Sequence, residues 1–306
     1  VVDPAGDAAN LYIGGVALYG DKTSLTMAYA KTDENGQVTT QNASESDYNI
    51  KWDGETLTLN KANIRTLNNP TAEGRYAAIY CEESFDIDLI DTNIITVTGA
   101  EDNDIFGILA EEDVTISGDG RLVITAHKGI WALGNTTISG GTVTAIGESN
   151  SSESNSIGIG ASGDIIITGG TVTATNGVIG IYAYDKITVS GGAIISMNGK
   201  IGIRAAYDMM ITNGTITATG DSVGIEVYSG DITISGGTVT AMGGTMGIYD
   251  YGGIIISPQS NQQIAVTAGV DKNSATAIYG SPFRGETDIG DLIDEAAYFH
   301  SETSAR

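Results

Sequence analysis

A regular repeat of the dipeptide Gly-Ile is the feature that most constrains the fold of this chain. Successive Gly-Ile glycines are separated by 22, 29, 22, 22, 22 and 23 residues. A second set of turn residues keeps the same spacing, and both sets take their long step at the polar residues 148–156. A repeat that accepts an insertion without losing register predicts a stack of equivalent units. The Gly-Ile glycines are Gly107, Gly129, Gly158, Gly180, Gly202, Gly224 and Gly247.

Each repeat unit contains three short stretches in which apolar residues alternate with small polar ones, most clearly in residues 180–198. Alternation with a period of two predicts β-strands, and the abundance of Ile, Val and Thr suits a half-buried sheet. Gly-Gly or Asn-Gly pairs predict turns with a positive φ, and Asn213 fits this position because Asn tolerates left-handed backbone. The residues predicted to point inward include Val172, Ala174, Ile181, Ala183, Ile187 and Val189.

The length of the repeat selects one class of solenoid. The lack of helical spacing excludes leucine-rich and helical repeats, and a propeller blade needs about 40 residues or more. A left-handed hexapeptide coil requires a repeat divisible by six, which 22 is not. We therefore predict an all-β fold, a right-handed single-stranded parallel β-helix with about 22 residues and three strands per rung. With strands about 4.8 Å apart, about ten rungs would form a rod about 48 Å long.

The two ends of such a stack need covers, because an open strand edge invites aggregation. Residues 1–56 are predicted to form an N-terminal β cap that includes a strand segment at 11–18. Residues 57–281 are predicted to form the parallel β-helix. Residues 282–306 are predicted to form a C-terminal cap with a short amphipathic helix at 288–300. The three parts are expected to make one structural domain.

The composition argues against several kinds of partner. The chain has 38 acidic and 14 basic residues, a net charge of −24. Such a charge repels nucleic acid and anionic membrane surfaces, so neither is expected as a partner, and an anionic polysaccharide would need bridging cations. No apolar run is long enough to span a bilayer, so no membrane insertion is expected.

The single Cys81 forms no internal disulfide. The Thr-, Gly- and Ser-rich composition predicts an extracellular or cell-surface bacterial protein. No signal peptide is visible, and a start at Val1 rather than Met is compatible with earlier removal of a targeting segment.

The repeat units, of the form (S/T)GGTVTAxG…GIxA, resemble the right-handed β-helix proteins of the pectate-lyase-like superfamily. The likeness covers roughly residues 57–280. It is strongest to surface proteins of gut and plant-degrading Clostridia-type bacteria that are often labelled carbohydrate-binding, whose usual lead-in is similar to LYIGGVAL…YNIKWDGETLTLNKANI. The resemblance implies a cell-envelope protein with a glycan ligand, although the superfamily includes lyases, hydrolases, adhesins and inert spacers.

Aromatic residues at the two outward positions of the Gly-Ile strands form the first candidate site. Sugar rings present C–H faces that stack on aromatic rings, and a Tyr hydroxyl adds orientation. Arg204 offers paired donors to a carboxylate or to two hydroxyls. Alternatively, the rings only cover the sheet, and Arg204 and Glu226 form an exposed ion pair of little energetic value. The candidate ligand-binding residues are Tyr80, Trp131, Tyr182, Tyr184, Arg204, Tyr228, Tyr249 and Tyr251.

A column of mostly acidic residues before the second strand of each unit is the second candidate site. Carboxylates about 4.8 Å apart repel each other, and calcium between Asp208 and Asp231 would relieve that repulsion. Asn135 and Lys186 interrupt the column, which favours turn-forming residues instead. Calcium is the one cofactor considered. The column consists of Asp86, Asp113, Asn135, Asp164, Lys186, Asp208 and Asp231.

The sequence offers little that supports catalysis. Hydrolases of the superfamily carry clustered Asp residues with Gly-His-Gly and Arg-x-Lys stretches, and none occurs here. For a lyase, Arg204 and Lys200 near Asp185 are the only combination to test. We therefore predict a non-catalytic, carbohydrate-binding or adhesin-like surface protein whose partner is a polysaccharide or a host or bacterial surface glycan. The alternatives are a structural or protein-binding stalk, and a polysaccharide lyase or hydrolase.

Overall fold

The computed structural model describes residues 11–21, 26–68, 74–98, 105–148 and 155–256, and the backbone of two later strands. Within these ranges the regular secondary structure is entirely β, and the strands form a long, mostly parallel sheet that does not close. The prediction of an all-β fold of parallel strands is confirmed, and the arrangement is consistent with a solenoid. No helix in these ranges has the length and apolarity that a bilayer crossing requires.

The strands are short and follow one another closely along the chain. The first seven are β1 (Leu11–Ile13), β2 (Val16–Leu18), β3 (Ala28–Thr32), β4 (Val38–Thr39), β5 (Ile50–Trp52), β6 (Thr56–Asn60) and β7 (Asn63–Ile64). The next twelve are β8 (Tyr76–Cys81), β9 (Phe85–Ile90), β10 (Thr92–Thr96), β11 (Ile105–Ala110), β12 (Val114–Gly118), β13 (Arg121–Ala126), β14 (Lys128–Ala132), β15 (Thr136–Ile138), β16 (Thr142–Gly147), β17 (Ile157–Ala161), β18 (Ile165–Ile167) and β19 (Thr171–Thr175). The last ten are β20 (Ile179–Ala183), β21 (Ile187–Val189), β22 (Ala193–Ala205), β23 (Met209–Ile211), β24 (Thr215–Val227), β25 (Ile232–Ile234), β26 (Gly237–Gly243), β27 (Met246–Ile256), β28 (Ile264–Val270) and β29 (Thr276–Ser281).

Antiparallel strands occupy the N-terminal part of the chain. Strands β1 and β2 form a hairpin, and β1 also pairs antiparallel with β8, with Leu11 opposite Cys81. Strands β3, β5 and β6 form an antiparallel set. Parallel pairing begins where β6 meets β9, with Thr56 beside Asp86. The hairpin therefore covers the edge of β8 that would otherwise be open. The predicted C-terminal cap, residues 282–306, lies outside the described residues.

Beyond this point, each strand pairs in parallel with its equivalent in the next repeat. The first set, which we call the Gly-Ile ladder, runs through β8, β11, β14, β17, β20, β22, β24 and β27. A second set begins at β6 and β9 and continues through β12, β15, β18, β21, β23 and β25. A third contains β10, β13, β16 and β19. The long strands β22 and β24 take part in both the first and the third.

The inward residues form one continuous apolar core of Ile, Val, Leu and Ala. Ile181 lies between Ile159 and Ile203 in the parallel register, so equivalent residues stack on each other. All six residues predicted to point inward are buried, as the alternation requires. Cys81 is also buried in this core and is a free thiol, which agrees with the expectation of no internal disulfide.

Close backbone approach explains the glycine of the Gly-Ile repeat. A Cβ placed on Gly180 would lie 2.7 Å from the carbonyl oxygen of Gly202, and one on Gly202 would lie 2.5 Å from that of Gly224. The same contact recurs from Gly107 to Gly129. The carbonyl oxygen of each Gly-Ile glycine therefore lies where a side chain on the equivalent residue of the preceding repeat would be. Only glycine, which has no side chain, fits at this position.

The turns between the second and third strands correct one prediction. The residue with positive φ is the second of each pair, as at Gly192 (84°) and Gly214 (101°). Asn213 is not among the residues with a positive φ, so the reason given for Asn at that position was wrong. The left-handed step falls on Gly214 instead, and Asn213 has ordinary backbone geometry.

Candidate functional site

One outward position of the Gly-Ile ladder forms a continuous column of side chains. In successive parallel pairs the register aligns Tyr80, Leu109, Trp131, Gly160, Tyr182, Arg204, Glu226 and Tyr249. Two residues further along their strands lie Tyr184, Tyr228 and Tyr251. We call the surface from Trp131 to Tyr251 the aromatic face. The predicted candidate residues therefore lie on one side of the sheet, with Tyr80 at the end of the column.

Trp131 and Tyr182 flank the position of Gly160. A Cβ on Gly160 would lie 2.4 Å from Cε3 of Trp131, so the indole lies over this glycine. The rings of Trp131 and Tyr182 are stacked, with centroids 6.2 Å apart and planes inclined by 27°. Both rings line a cleft of about 300 Å³, together with the basic side chains of Lys128 and Arg204. Gly160 is thus the reason that two rings from non-adjacent strands can approach each other.

An outer apolar cluster supports these rings from the side. Its members are buried and separate from the main core, and they pack against Trp131, Tyr182 and Tyr249. Because the cluster holds the rings, their orientations are restricted before any ligand binds. The sequence analysis missed this cluster, although each member immediately precedes the glycine of a Gly-Ile dipeptide. The members are Ile157, Ile179, Ile201 and Val223.

Two of the chain's 14 basic residues lie against aromatic rings of this surface. The Nζ of Lys128 lies 5.2 Å from the ring centroid of Phe106 and 5.5 Å from that of Trp131. The Cζ of Arg204 lies 5.9 Å from the ring centroid of Tyr228. These are cation–π distances. Positive charge is therefore placed locally beside the rings in a strongly acidic protein.

The ion pair between Arg204 and Glu226 is more buried than the exposed pair that the sequence suggested as an alternative. The Nε of Arg204 lies 2.5 Å from Oε2 of Glu226. The Arg204 side chain is 27% exposed and that of Glu226 only 8%. A pair with one buried partner is coupled to its surroundings, because removal of the arginine would leave a carboxylate without a countercharge. The pair therefore anchors the centre of the aromatic face.

A second group of rings lies beyond the ion pair. Tyr228 and Tyr251 have ring centroids 5.0 Å apart, and Tyr249 meets Tyr251 edge to face at 4.7 Å. Tyr184, Tyr228 and Tyr251 expose 61%, 51% and 52% of their surface. Tyr207 is also exposed after the end of its strand, but it lies outside the two columns and is not part of the aromatic face. Large exposed apolar groups in one area are typical of binding surfaces.

Tyr80 and Leu109 occupy the same column, where Tyr80 is half-buried beside the N-terminal hairpin and Leu109 is buried. The ring of Tyr80 lies 6.0 Å from that of Tyr12 in the N-terminal hairpin, and burial, with the neighbouring Glu111, raises the pKa of Tyr80. Leu109 is fully buried under Phe106 and its neighbours. The structure therefore places Tyr80 at the junction with the hairpin, separated from Trp131 in the column by the buried Leu109.

The acidic column forms a ladder of side-chain to backbone hydrogen bonds. The Oδ1 of Asp113 accepts from the backbone N–H of Asn135 at 2.6 Å, and Oδ1 of Asn135 accepts from that of Asp164 at 2.8 Å. Oδ1 of Asp164 accepts from the backbone N–H of Lys186 at 3.0 Å. Each acceptor satisfies a turn amide of the next repeat, so these side chains have the turn-forming role that was weighed against metal binding.

Asp208 and Asp231, the calcium candidates, belong to the same ladder. Oδ1 of Asp208 accepts from the Asp231 N–H at 3.2 Å, and Oδ1 of Asp231 accepts from the Gly253 N–H at 2.8 Å. The Nζ of Lys186 lies 3.0 Å from Oδ2 of Asp208 and holds the pKa of that carboxyl below its usual value. Across the described ranges, no group of three or more His, Cys, Asp or Glu residues is arranged to hold a metal ion. Calcium at this pair stays a prediction.

A larger cleft of about 520 Å³ lies at the turns on another side of the sheet. Asp88, Asp91, Asp119 and Arg121 line it, and Asp91 is paired with Lys61 at 3.4 Å. None of the described residues that line it is aromatic. Clustered carboxylates on turns are most simply solvated, so we assign this cleft no ligand.

No protein-family model, curated protein or solved structure matches this chain. The comparisons therefore give no support to the resemblance to pectate-lyase-like or Clostridia-type surface proteins.

Proposed function

We propose that this chain is a non-catalytic carbohydrate-binding protein, adhesin-like and extracellular or held at a bacterial surface, and that its ligand lies on the aromatic face. The observation that carries the proposal is the cleft beside Trp131 and Tyr182, whose stacked rings are accompanied by Lys128 and Arg204. Nucleic acid and membrane are not proposed as partners, because the charge of −24 opposes both.

The proposed scaffold is a right-handed single-stranded parallel β-helix, as in the pectate-lyase-like superfamily, with about 22 residues and three strands per rung. Parallel pairing of each strand with its equivalent one repeat later supports this scaffold, for example Ile181 beside Ile203 and Ile187 beside Met209. The presence of three sets of parallel strands supports three strands per rung. The same resemblance underlies the proposal of a cell-envelope location.

The chemistry of the cleft suits a sugar. A pyranose ring has an apolar C–H face and a rim of hydroxyls, so it needs a flat apolar surface with donors and acceptors at its edge. Trp131 and Tyr182 supply the flat surface, and Ile157 and Ile179 supply apolar lining. Lys128 and Arg204 place N–H donors beside the rings. The overall negative charge favours a neutral glycan over a polyanion.

The lining of the cleft favours binding over hydrolysis. Glycoside hydrolases generally use two carboxyl groups that flank the bond to be cleaved. The described residues that line the cleft include no carboxylate. The nearest partner of Arg204, Glu226, is buried in its ion pair.

A glycan array probed with the full chain, with and without calcium, tests the proposal. We expect saturable binding to at least one neutral glycan without release of reducing ends. Trp131→Ala should weaken that binding at least about tenfold, because it removes one ring of the stack. Isothermal titration calorimetry on the best array ligand measures the effect.

The control variant is Tyr48→Ala, which removes a half-buried tyrosine that contacts Tyr29 in the N-terminal strands. It should bind as the parent does. Circular dichroism establishes that each variant is folded. A blank array would contradict glycan binding and favour the stalk, whereas product formation that is lost in Arg204→Ala would favour the lyase or hydrolase.

A further inference from the structure

We infer that the aromatic face binds an internal segment of a linear, unbranched, neutral glycan, which lies along the direction in which the strands stack. This inference rests on the proposed function and specifies its ligand. It excludes a ligand recognised as a single terminal sugar or through its branch points.

The dimensions of the aromatic face carry the inference. Trp131, Gly160, Tyr182, Arg204, Glu226 and Tyr249 are consecutive partners in parallel pairs. Five strand spacings of about 4.8 Å separate the first from the last, a distance of about 24 Å. A single sugar ring is close to one strand spacing in size. One sugar therefore contacts one part of the face only, and a chain is needed to contact its whole length.

The rings are divided into two groups along this line. Trp131 and Tyr182 form the first group, and Tyr228, Tyr249 and Tyr251 form the second. The Arg204–Glu226 pair lies between them, with Arg204 against the ring of Tyr228.

This order of apolar, polar and apolar surface matches a chain that offers C–H faces and hydroxyl groups along its length. Once one group of rings has bound the chain, contact with the second is intramolecular and benefits from a high effective concentration. Affinity should therefore increase with chain length until the chain reaches both groups.

Single-sided branches or bulky substituents would interfere with this arrangement. The first group of rings is bounded by the outer apolar cluster, against which Trp131 and Tyr182 pack. A side branch directed at that cluster would have to bury hydroxyl groups against apolar side chains, which is unfavourable. An unbranched chain avoids this contact along the whole face, which is about 24 Å long.

Calorimetry with oligosaccharides of increasing length tests the inference. The probes are unbranched β-1,4-linked oligomers of glucose, xylose and mannose, from monosaccharide to hexasaccharide. In the best series, the hexasaccharide should bind the full chain at least about tenfold more tightly than the disaccharide. In the double variant Tyr228→Ala with Tyr251→Ala, the hexasaccharide should lose that advantage, and disaccharide binding at the first group should stay within twofold.

Tyr207→Ala is the matched control, because Tyr207 is about as exposed as Tyr228 but lies outside the two columns. It should keep the parent's dependence on chain length. If a monosaccharide or disaccharide binds as tightly as the hexasaccharide, the linear-chain inference is wrong while glycan binding stands. An equal loss of hexasaccharide affinity in Tyr207→Ala also contradicts it. If no oligosaccharide and no array glycan binds, both proposals fail together.

Discussion

Between pH 4 and pH 7.5 the stability of the Asp250→Ala protein relative to the parent should rise by about 3 kcal/mol. Asp250 occupies an inward column in which the preceding repeats carry Ala183, Ala205 and Val227. Its side chain is fully buried. Oδ1 accepts from the Gly252 N–H at 2.9 Å, whereas the buried Oδ2 has no hydrogen-bond partner among the described residues. An ionised carboxylate in this position is costly.

The direction of the pH dependence follows from the shifted pKa. Burial, with a smaller contribution from the carboxylate of Asp231, raises the pKa of Asp250 from 3.8 to about 6, although N–H groups of Gly252 and Ile232 oppose the rise. The folded protein therefore binds the proton more tightly than the unfolded chain. The stabilisation by the neutral carboxyl is complete below pH 4 and is lost as the pH rises through 6. At about 1.4 kcal/mol per tenfold change in proton affinity, the loss is about 3 kcal/mol.

Thermal unfolding and amide hydrogen exchange of β25 and β27 between pH 4 and pH 8 measure this effect. The difference between parent and variant isolates Asp250 from the general charge repulsion, which also changes with pH. Asp250→Asn keeps the shape and should also flatten the profile. Asp208→Asn is the control: the pKa of Asp208 is lowered by Lys186, so its stabilisation is lost only as the pH falls, and it is small at a half-exposed pair. Parallel profiles for Asp250→Ala and the parent would contradict the prediction.

Gly202→Ala should destabilise the fold by about 3 kcal/mol or more. The new Cβ would lie 2.5 Å from the carbonyl oxygen of Gly224 and 3.1 Å from backbone atoms of Thr219. These atoms belong to the main chain of the neighbouring strand β24, so no rotamer change relieves the clash. Overpacking of this kind costs about 1–3 kcal/mol, and more where the surroundings cannot move. Guanidinium unfolding followed by circular dichroism should show a lower midpoint.

Gly253→Ala is the matched control for this substitution. Its nearest atom is Oδ1 of Asp231 at 3.4 Å, an ordinary contact distance, and its φ is not positive. The alanine keeps the N–H that donates to Asp231. We expect a change within about 0.5 kcal/mol. Equal midpoints for Gly202→Ala and Gly253→Ala would show that the glycine of the repeat is not set by backbone contact.

Local periodicity carried most of the information about the fold. The spacing of Gly-Ile predicted that Tyr182 and Arg204 are neighbours in adjacent strands, and they are direct partners. It also predicted the burial of Ile181 and Ala183. Period-two alternation predicts on which side of the sheet a residue lies. In a stack of equivalent strands it therefore also predicts the residue's neighbours in the strands above and below.

What covers the outward side could not be read from alternation. Tyr80 is half-buried beside Tyr12, which comes from a hairpin far away in sequence, and Leu109 is buried beneath neighbours from other strands. For Asp250 a signal was present: the alternation that places Tyr249 and Tyr251 outward also places the residue between them inward. The turn at Asn213 was misassigned because Gly214, not the Asn, takes the left-handed conformation.

The hydrogen bonds of the acidic column have a direction. In each one the acceptor side chain belongs to the earlier repeat and the donor amide to the later one, as from Asp113 to Asn135 and from Asp208 to Asp231. A turn is thus completed by the repeat that precedes it in the chain. Because synthesis also proceeds from the N-terminus, every newly made repeat meets its acceptor already in place. We therefore expect the repeats to fold in chain order, each docking on the repeat that precedes it.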